Sequence, residues 1–309
     1  DGPGGVKIRH YFLNDPAMAM RTADVTPDIL TVYGRLVRPY AFETYGHYAA
    51  PDFGGGMENQ TLTAIGANVF TSRAPRGNHS LIAHEAAHQW FGDAMSPFTW
   101  ADIWLNEGFA TYFAELWRAD RFGPEPLAWR MEALRYTVLA GGADAPVSQP
   151  ILDDMFGTNT YEKGGWVLNM LRWQLGDAAF FGGLKSYFDA HRYGNVTTDD
   201  LRAALQASSG KDLAPFFDQW IHRAGNPVIY AGWSMGGDDI LNVRFCQPAA
   251  PFSLPVTIAA YGEGKVDRET QLVAGAQSDM TIGLHNFHHV DGVTVDPDTQ
   301  SLADLRVVH

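Results

Sequence analysis

His84-Glu85-Ala86-Ala87-His88 is followed, after eighteen residues, by Glu107 within Asn106-Glu107-Gly108-Phe109-Ala110. Histidines at i and i+4 stand one turn apart on one face of a helix, so both imidazoles can reach a single ion. Glu107 supplies a third, anionic ligand from a second helix. Three protein ligands leave a fourth position for water, which marks a catalytic rather than a structural zinc site. Bound zinc lowers the pKa of that water to about 7. Glu85 directly follows the first histidine and faces the open position. It is the candidate general base, taking the water's proton and passing it to a leaving amine. The implied chemistry is metal-assisted hydrolysis of an amide or ester. The HExxH string also arises by chance or as a satisfied core histidine pair. Glu107, at a workable spacing on its own expected helix, is what favours the metal.

The flanks agree with two helices. Ser80 is the expected N-cap of the first, since its hydroxyl can accept from a free amide of the first turn. Leu81, Ile82, Ala83, Ala86, Ala87, Trp90 and Phe91 would bury most of the remaining surface, and Gly92 suits a C-terminal stop. The second helix is expected over about 106–119, where Phe109, Phe113, Leu116 and Trp117 fall at helical spacing.

Two further stretches narrow the chemistry. Gly54-Gly55-Gly56-Met57-Glu58-Asn59 ends 25 residues before His84. Its glycines let the backbone approach a ligand closely, and its carboxylate could bind a cation. The same stretch also fits a glycine-rich turn with a solvated Glu. Tyr161-Glu162-Lys163-Gly164-Gly165 opens an apolar helical run from Trp166 to Leu175. A tyrosine hydroxyl there could donate to an oxyanion, or simply belong to a half-buried structural residue.

Together these elements resemble the M1 family of zinc aminopeptidases, in the gluzincin group. The Gly-Gly-Met-Glu-Asn stretch, HExxH, the Asn-Glu-Gly-Phe-Ala glutamate and Tyr-Glu-Lys-Gly occur in the family's order. The likeness continues through Phe216-Phe217-Asp218-Gln219-Trp220 and Gly225-Asn226-Pro227-Val228. The resemblance implies one Zn2+ held by His84, His88 and Glu107, with Glu85 as general base and Tyr161 as oxyanion donor. It further implies that Glu58 binds the free α-amino group of a peptide while Gly55, Gly56 and Met57 line its backbone. The expected reaction is hydrolysis of the N-terminal peptide bond. An internal segment would leave the Glu58 carboxylate buried and unpaired, at a cost of several kcal/mol. Alternatives are a thermolysin-like endopeptidase, an epoxide hydrolase, or a zinc-bearing binding domain inactive without an N-terminal partner.

The resemblance also implies an α+β fold: a thermolysin-like, mostly helical metallopeptidase domain followed by a small all-β sandwich. The expected divisions are 1–10 as a linker or the last strand of a missing N-terminal β domain, 11–225 as the catalytic domain and 226–309 as the sandwich. Along the chain, helices are expected at 28–40, 126–140, 162–175, 177–190, 198–208 and 213–223, with strands at 45–51 and 61–65. Thr197-Thr198-Asp199-Asp200 has the acidic first turn of a helix start. A loop is expected at 141–150. After Pro227 the period changes to two, with short strands at 228–233, 240–246, 255–261, 269–273, 280–284 and 293–295. Turns are expected at 236–239 and 262–264.

Composition closes off other classes. At 309 residues and 46% apolar content, the chain can bury a sizeable core. No apolar run approaches a membrane span. A formal net charge of −13 repels nucleic-acid phosphates. The single cysteine, Cys246, rules out an intrachain disulfide and a cysteine zinc site. Cysteine usage leaves the compartment open, with a lean to a bacterial periplasmic or secreted location over the cytoplasm. Three minor features have two readings each. His288-His289 is a surface pair or a metal site, Trp100, Trp104 and Trp117 are core or substrate cage, and Glu115 supports a zinc histidine or is solvated.

Overall fold

The computed structural model describes residues 1–309 apart from 14, 142–144, 238 and 309. The expected loop at 141–150 and turn at 236–239 therefore fall partly outside the described residues. The structure is mixed helix and sheet. Its helices are α1 (Pro16–Ala23), α2 (Thr26–Leu36), α3 (Ala67–Phe70), α4 (His79–Ala87), α5 (Trp104–Phe122), α6 (Pro124–Gly141), α7 (Gly164–Leu175), α8 (Asp177–His191), α9 (Thr198–Ser209) and α10 (Ala214–Trp220). Short strands sit among them: β1 (Lys7–Ile8), β2 (Thr44–Tyr45), β3 (His47–Ala50), β4 (Gly56–Met57), β5 (Thr63–Gly66), β6 (Met95–Pro97) and β7 (Gly194–Val196). Longer strands follow: β8 (Val228–Met235), β9 (Ile240–Cys246), β10 (Leu254–Gly262), β11 (Lys265–Val273), β12 (Gln277–Gly283), β13 (Gly292–Val295) and β14 (Asp304–Val308). Among the described residues, no helix is long and apolar enough to cross a membrane.

The chain divides into two compact units. The helical unit contains Asp1–Arg130 and Ala145–Arg223; the other runs from Ala224 onward and takes in α6 from Met131. The opening residues belong to the helical unit, where Val6 is buried and β1 pairs in parallel with β2.

In the helical unit, aromatic packing fixes α4 against α5 and α2. Phe91 stacks on Phe109 with ring centroids 4.1 Å apart, and Tyr33 meets Phe113 edge-on at 5.4 Å. The Tyr33 hydroxyl donates to the Ala83 carbonyl at 2.9 Å, tying α2 to the middle of α4. Each such ring contributes about 1.5–3 kcal/mol by burial, and a favourable ring pair about 0.5–1.5 more. Trp104 and Trp117 are fully buried, whereas Trp100 is 63% exposed, so the three tryptophans do not act as one group. The Trp104 indole donates to Thr198 at the start of α9, whose capping box pairs Thr197 with Asp200.

A three-stranded sheet of order β3-β5-β4 lies in this unit. Strand β5 runs parallel to β3 and antiparallel to β4, with Gly56 opposite Ile65 and Met57 opposite Ala64. The β4 strand is thus an edge.

The second unit holds two sheets, β11-β10-β13 and β12-β9-β8-β14. Burial alternates strictly along β9, where Leu241, Val243 and Phe245 point inward. Strand β14, paired in parallel with β8, was not expected from the sequence. Its residues are half-buried or exposed, so no alternation marks it. His288 and His289 take separate carboxylate partners, Asp239 at 2.6 Å and Asp291 at 3.7 Å, which removes the shared-metal reading.

Helices α5 and α7 cross through glycine. A Cβ at Gly108 would lie 2.9 Å from the Gly164 carbonyl carbon and 3.0 Å from its Cα. Alanine gains about 1 kcal/mol over glycine in a helix interior, but overpacking against backbone costs about 1–3 kcal/mol. Gly108→Ala should therefore lower stability in urea unfolding; a gain would show that the crossing yields freely.

Candidate active site

His84 projects from α4, His88 from the C-cap position that follows it, and Glu107 from the first turn of α5. The Nε2 atoms of the two histidines lie 3.2 Å apart. Glu107 Oε2 is 3.2 Å from His84 Nε2 and 3.3 Å from His88 Nε2. Two imidazole nitrogens facing each other beside a carboxylate share a proton or a cation, and the three ligand atoms are close enough to meet on one ion. Tetrahedral ligands about 2.0–2.1 Å from zinc stand about 3.3–3.4 Å apart, so the donor set and spacing fit that ion. The structure brings together the three side chains that the sequence singles out.

Electrostatics among the protein groups point the same way. Burial alone would lower the His88 pKa, but its bond to Glu107 and the surrounding carboxylates raise it to about 9. Burial likewise opposes ionisation of Glu107, yet the hydrogen bonds from both histidines hold its carboxyl down at about 2. The pocket is built to keep a cation against Glu107.

Glu85 is buried and carries a strongly perturbed carboxyl. Burial pushes it up to about 8, with His88 opposing and Glu58 and Glu107 adding to the rise. Strand β4 packs directly on it: a Cβ at Gly56 would collide with the Glu85 carboxylate. Any larger residue at position 56 would displace the Glu85 carboxyl from its place, while Gly55 supplies a turn with φ of +88°. Glu58 follows on the same strand exit and is half-buried, so only a bound ligand would complete its desolvation. Met57 is 44% exposed beside it.

The Tyr161 ring stacks on His84 at 6.0 Å. Burial raises its hydroxyl pKa, reinforced by Glu107 and Glu58, and so keeps the phenol a neutral donor. The residue sits in a wide turn in which the Lys163 amide bonds the Thr158 carbonyl, five residues back, at 3.0 Å. A matching turn follows α4, where the Asp93 amide bonds the His88 carbonyl at 2.9 Å. Such π-type turns recur at functional sites.

All of Gly56, Met57, Glu58, His84, Glu85, His88, Glu107 and Tyr161 line one open cleft of about 590 Å³. Trp100, Phe156 and Arg130 line it too, and the sequence reading did not assign them there as a group. Two local expectations are corrected. Ser80 does not cap α4, which starts at His79; its hydroxyl accepts instead from Arg118 Nη1 at 3.0 Å. Glu115 is neither solvated nor bonded to a zinc histidine. It is buried between Arg130, at 3.1 Å, and Arg118, at 3.4 Å.

The model of the peptidase family M1 domain matches residues 21–220. The chain belongs to the M1 peptidase family. It is 31% identical to aminopeptidase N of Streptomyces lividans over 274 residues, covering 78% of this chain and 32% of that protein. It is 32% identical to aminopeptidase M1 of Arabidopsis thaliana over 281 residues, covering 82% of this chain and 31% of that protein. The chain thus spans about a third of the length of these relatives. Its fold is similar to that of Legionella pneumophila aminopeptidase A in complex with aspartic acid, with a TM-score of 0.84 at 17% identity, covering 98% of this chain and 36% of that one.

Replacing Glu107 by Gln keeps the shape of the M1 site but removes its anionic donor. Zinc affinity, measured by competition with a chromophoric chelator, should fall by more than the 10- to 100-fold typical of losing a supporting partner. Unchanged affinity would remove Glu107 from the ligand set.

Proposed function

We propose that this chain is the catalytic portion of a zinc-dependent aminopeptidase that releases N-terminal residues from peptides. The observation that carries the reading is spatial. A three-donor metal set, a buried carboxyl, a neutral phenol and an edge strand ending in a carboxylate share one cleft.

His84, His88 and Glu107 would hold the zinc. When bound, the ion supplies a polarising charge and a water made acidic enough to ionise near neutral pH. The free edge of β4 offers backbone groups to an extended peptide, which adds to the sheet as one more strand. Glu58 pairs with the substrate's terminal ammonium and so sets the register of that strand. Glu85 accepts the proton of the attacking water and returns it to the leaving amine. Tyr161 donates to the oxygen that gains charge as the carbonyl becomes tetrahedral. The helical unit is read as a thermolysin-like catalytic domain, and the two sheets from Ala224 onward as a small β-sandwich.

Turnover of an aminoacyl-p-nitroanilide should be abolished by a zinc chelator and restored by added zinc. Persistence under chelation would contradict the metal mechanism. Glu85→Ala should bind one equivalent of zinc and lose about 10²- to 10⁴-fold in rate, the range for a general base. Normal turnover in that variant would overturn its role. Tyr161→Phe should lower kcat by about 10²-fold or more, the usual loss for one oxyanion donor. A change confined to KM would assign Tyr161 to binding instead.

A further inference from the structure

Gln89 does not line the cleft, yet each polar atom of its buried side chain is committed. Its Oε1 accepts from the Tyr40 hydroxyl at 3.0 Å and from the Thr61 amide at 2.9 Å. Its Nε2 donates to the Glu58 carbonyl at 3.2 Å and to Asp93 Oδ2 at 2.5 Å. A carboxamide has two donors and two main acceptor sites, so this one is saturated. Two of the four bonds clip the ends of the same short loop, Glu58 at its start and Thr61 at its close. That loop also turns on itself, with the Leu62 amide bonding the Asn59 carbonyl at 3.1 Å.

The position of Gln89 gives these bonds their meaning. It follows His88 directly, inside the wide turn closed between His88 and Asp93. The loop bearing Glu58 is therefore fixed to the residue next to a metal ligand. Further along the same strand, Gly56 abuts Glu85, four residues before Gln89. One short stretch of chain thus holds the two histidine donors and, through Glu85 and Gln89, braces the strand that presents Glu58.

We infer that Gln89 is a positioning residue for amine recognition. It sets the spacing between the Glu58 carboxylate and the metal ligands, and so the preference for a free N-terminal ammonium. The inference rests on the proposed role of Glu58. Loss of these bonds leaves the donors of the metal site and the proton-transfer groups in place, so the defect falls on binding of the amine.

The test is a double-mutant cycle of Gln89→Met and Glu58→Gln, read as kcat and KM on leucyl-p-nitroanilide with zinc content and melting temperature. Gln89→Met should raise KM about tenfold, the equivalent of one lost hydrogen bond, while kcat changes less than about threefold and zinc stays at one equivalent. In the Glu58→Gln background the same substitution should have no further effect on KM, because the residue acts through Glu58. Full additivity, or equal losses in kcat and KM, would overturn the inference. If Gln89→Met does not fold, Gln89→Asn keeps the amide but falls short of the loop and is judged by the same criteria. Should Glu58→Gln alone leave KM unchanged, the reading of Glu58 fails. Should Glu58→Gln raise KM while Gln89→Met does not, only the role of Gln89 fails.

Discussion

The site depends on one constraint: two imidazole nitrogens 3.2 Å apart, sharing a carboxylate, at the surface of a single helix. Two facing nitrogens at that separation are stable only with a cation or proton between them. Glu107 is held ionised at that point, with Glu58 and Glu85 close by. A positive charge placed there is paired with the Glu107 carboxylate, and its removal leaves that charge buried without a counter-ion. The chemistry follows from the charge that this arrangement demands.

The rest of the helical unit keeps that arrangement rigid. Tyr33 bonds the middle of α4, and Phe91, Phe109 and Phe113 lock α4 to α5, so His84, His88 and Glu107 cannot drift apart. The crossing of Gly108 and Gly164 sets the approach of α7 to α5, and with it the placement of Tyr161 beside His84. It is the glycines of the Asn-Glu-Gly and Tyr-Glu-Lys-Gly stretches that touch. Those motifs carry packing instructions as well as chemistry. At the other wall, Gly56 admits β4 against Glu85, so the strand and the Glu85 carboxyl occupy their places by mutual fit.

The convergence of His84, His88 and Glu107 was legible because an i, i+4 histidine pair shares one face of a helix, and Glu107 sits in the strongly periodic α5. The strands with alternating burial, β9 above all, were legible for the same reason of periodicity. Features made by tertiary contact were not. The two π-type turns leave no side-chain pattern, since an amide reaching five residues back is imposed by packing. Ser80 looked like a cap because its hydroxyl suits one, but Arg118, 38 residues away, takes that oxygen. Glu115 reads as solvated or as a support for a zinc histidine because its nearer partner, Arg130, comes from α6, although Arg118 stands one turn along α5 itself. Gln89 passed unmarked beside His88: a buried amide declares itself only once the four groups around it are placed.

The central claim is that this cleft recognises a peptide by its terminal ammonium and cleaves beside it. Comparing kcat/KM for one aminoacyl-p-nitroanilide, free and N-acetylated, at one equivalent of zinc tests it most directly. The account predicts that acetylation lowers kcat/KM by at least about 100-fold, the scale of losing one member of a desolvated charge pair. Equal cleavage of both substrates would contradict it and point to an endopeptidase. Cleavage of neither by the zinc-bound chain would contradict catalysis by this chain alone.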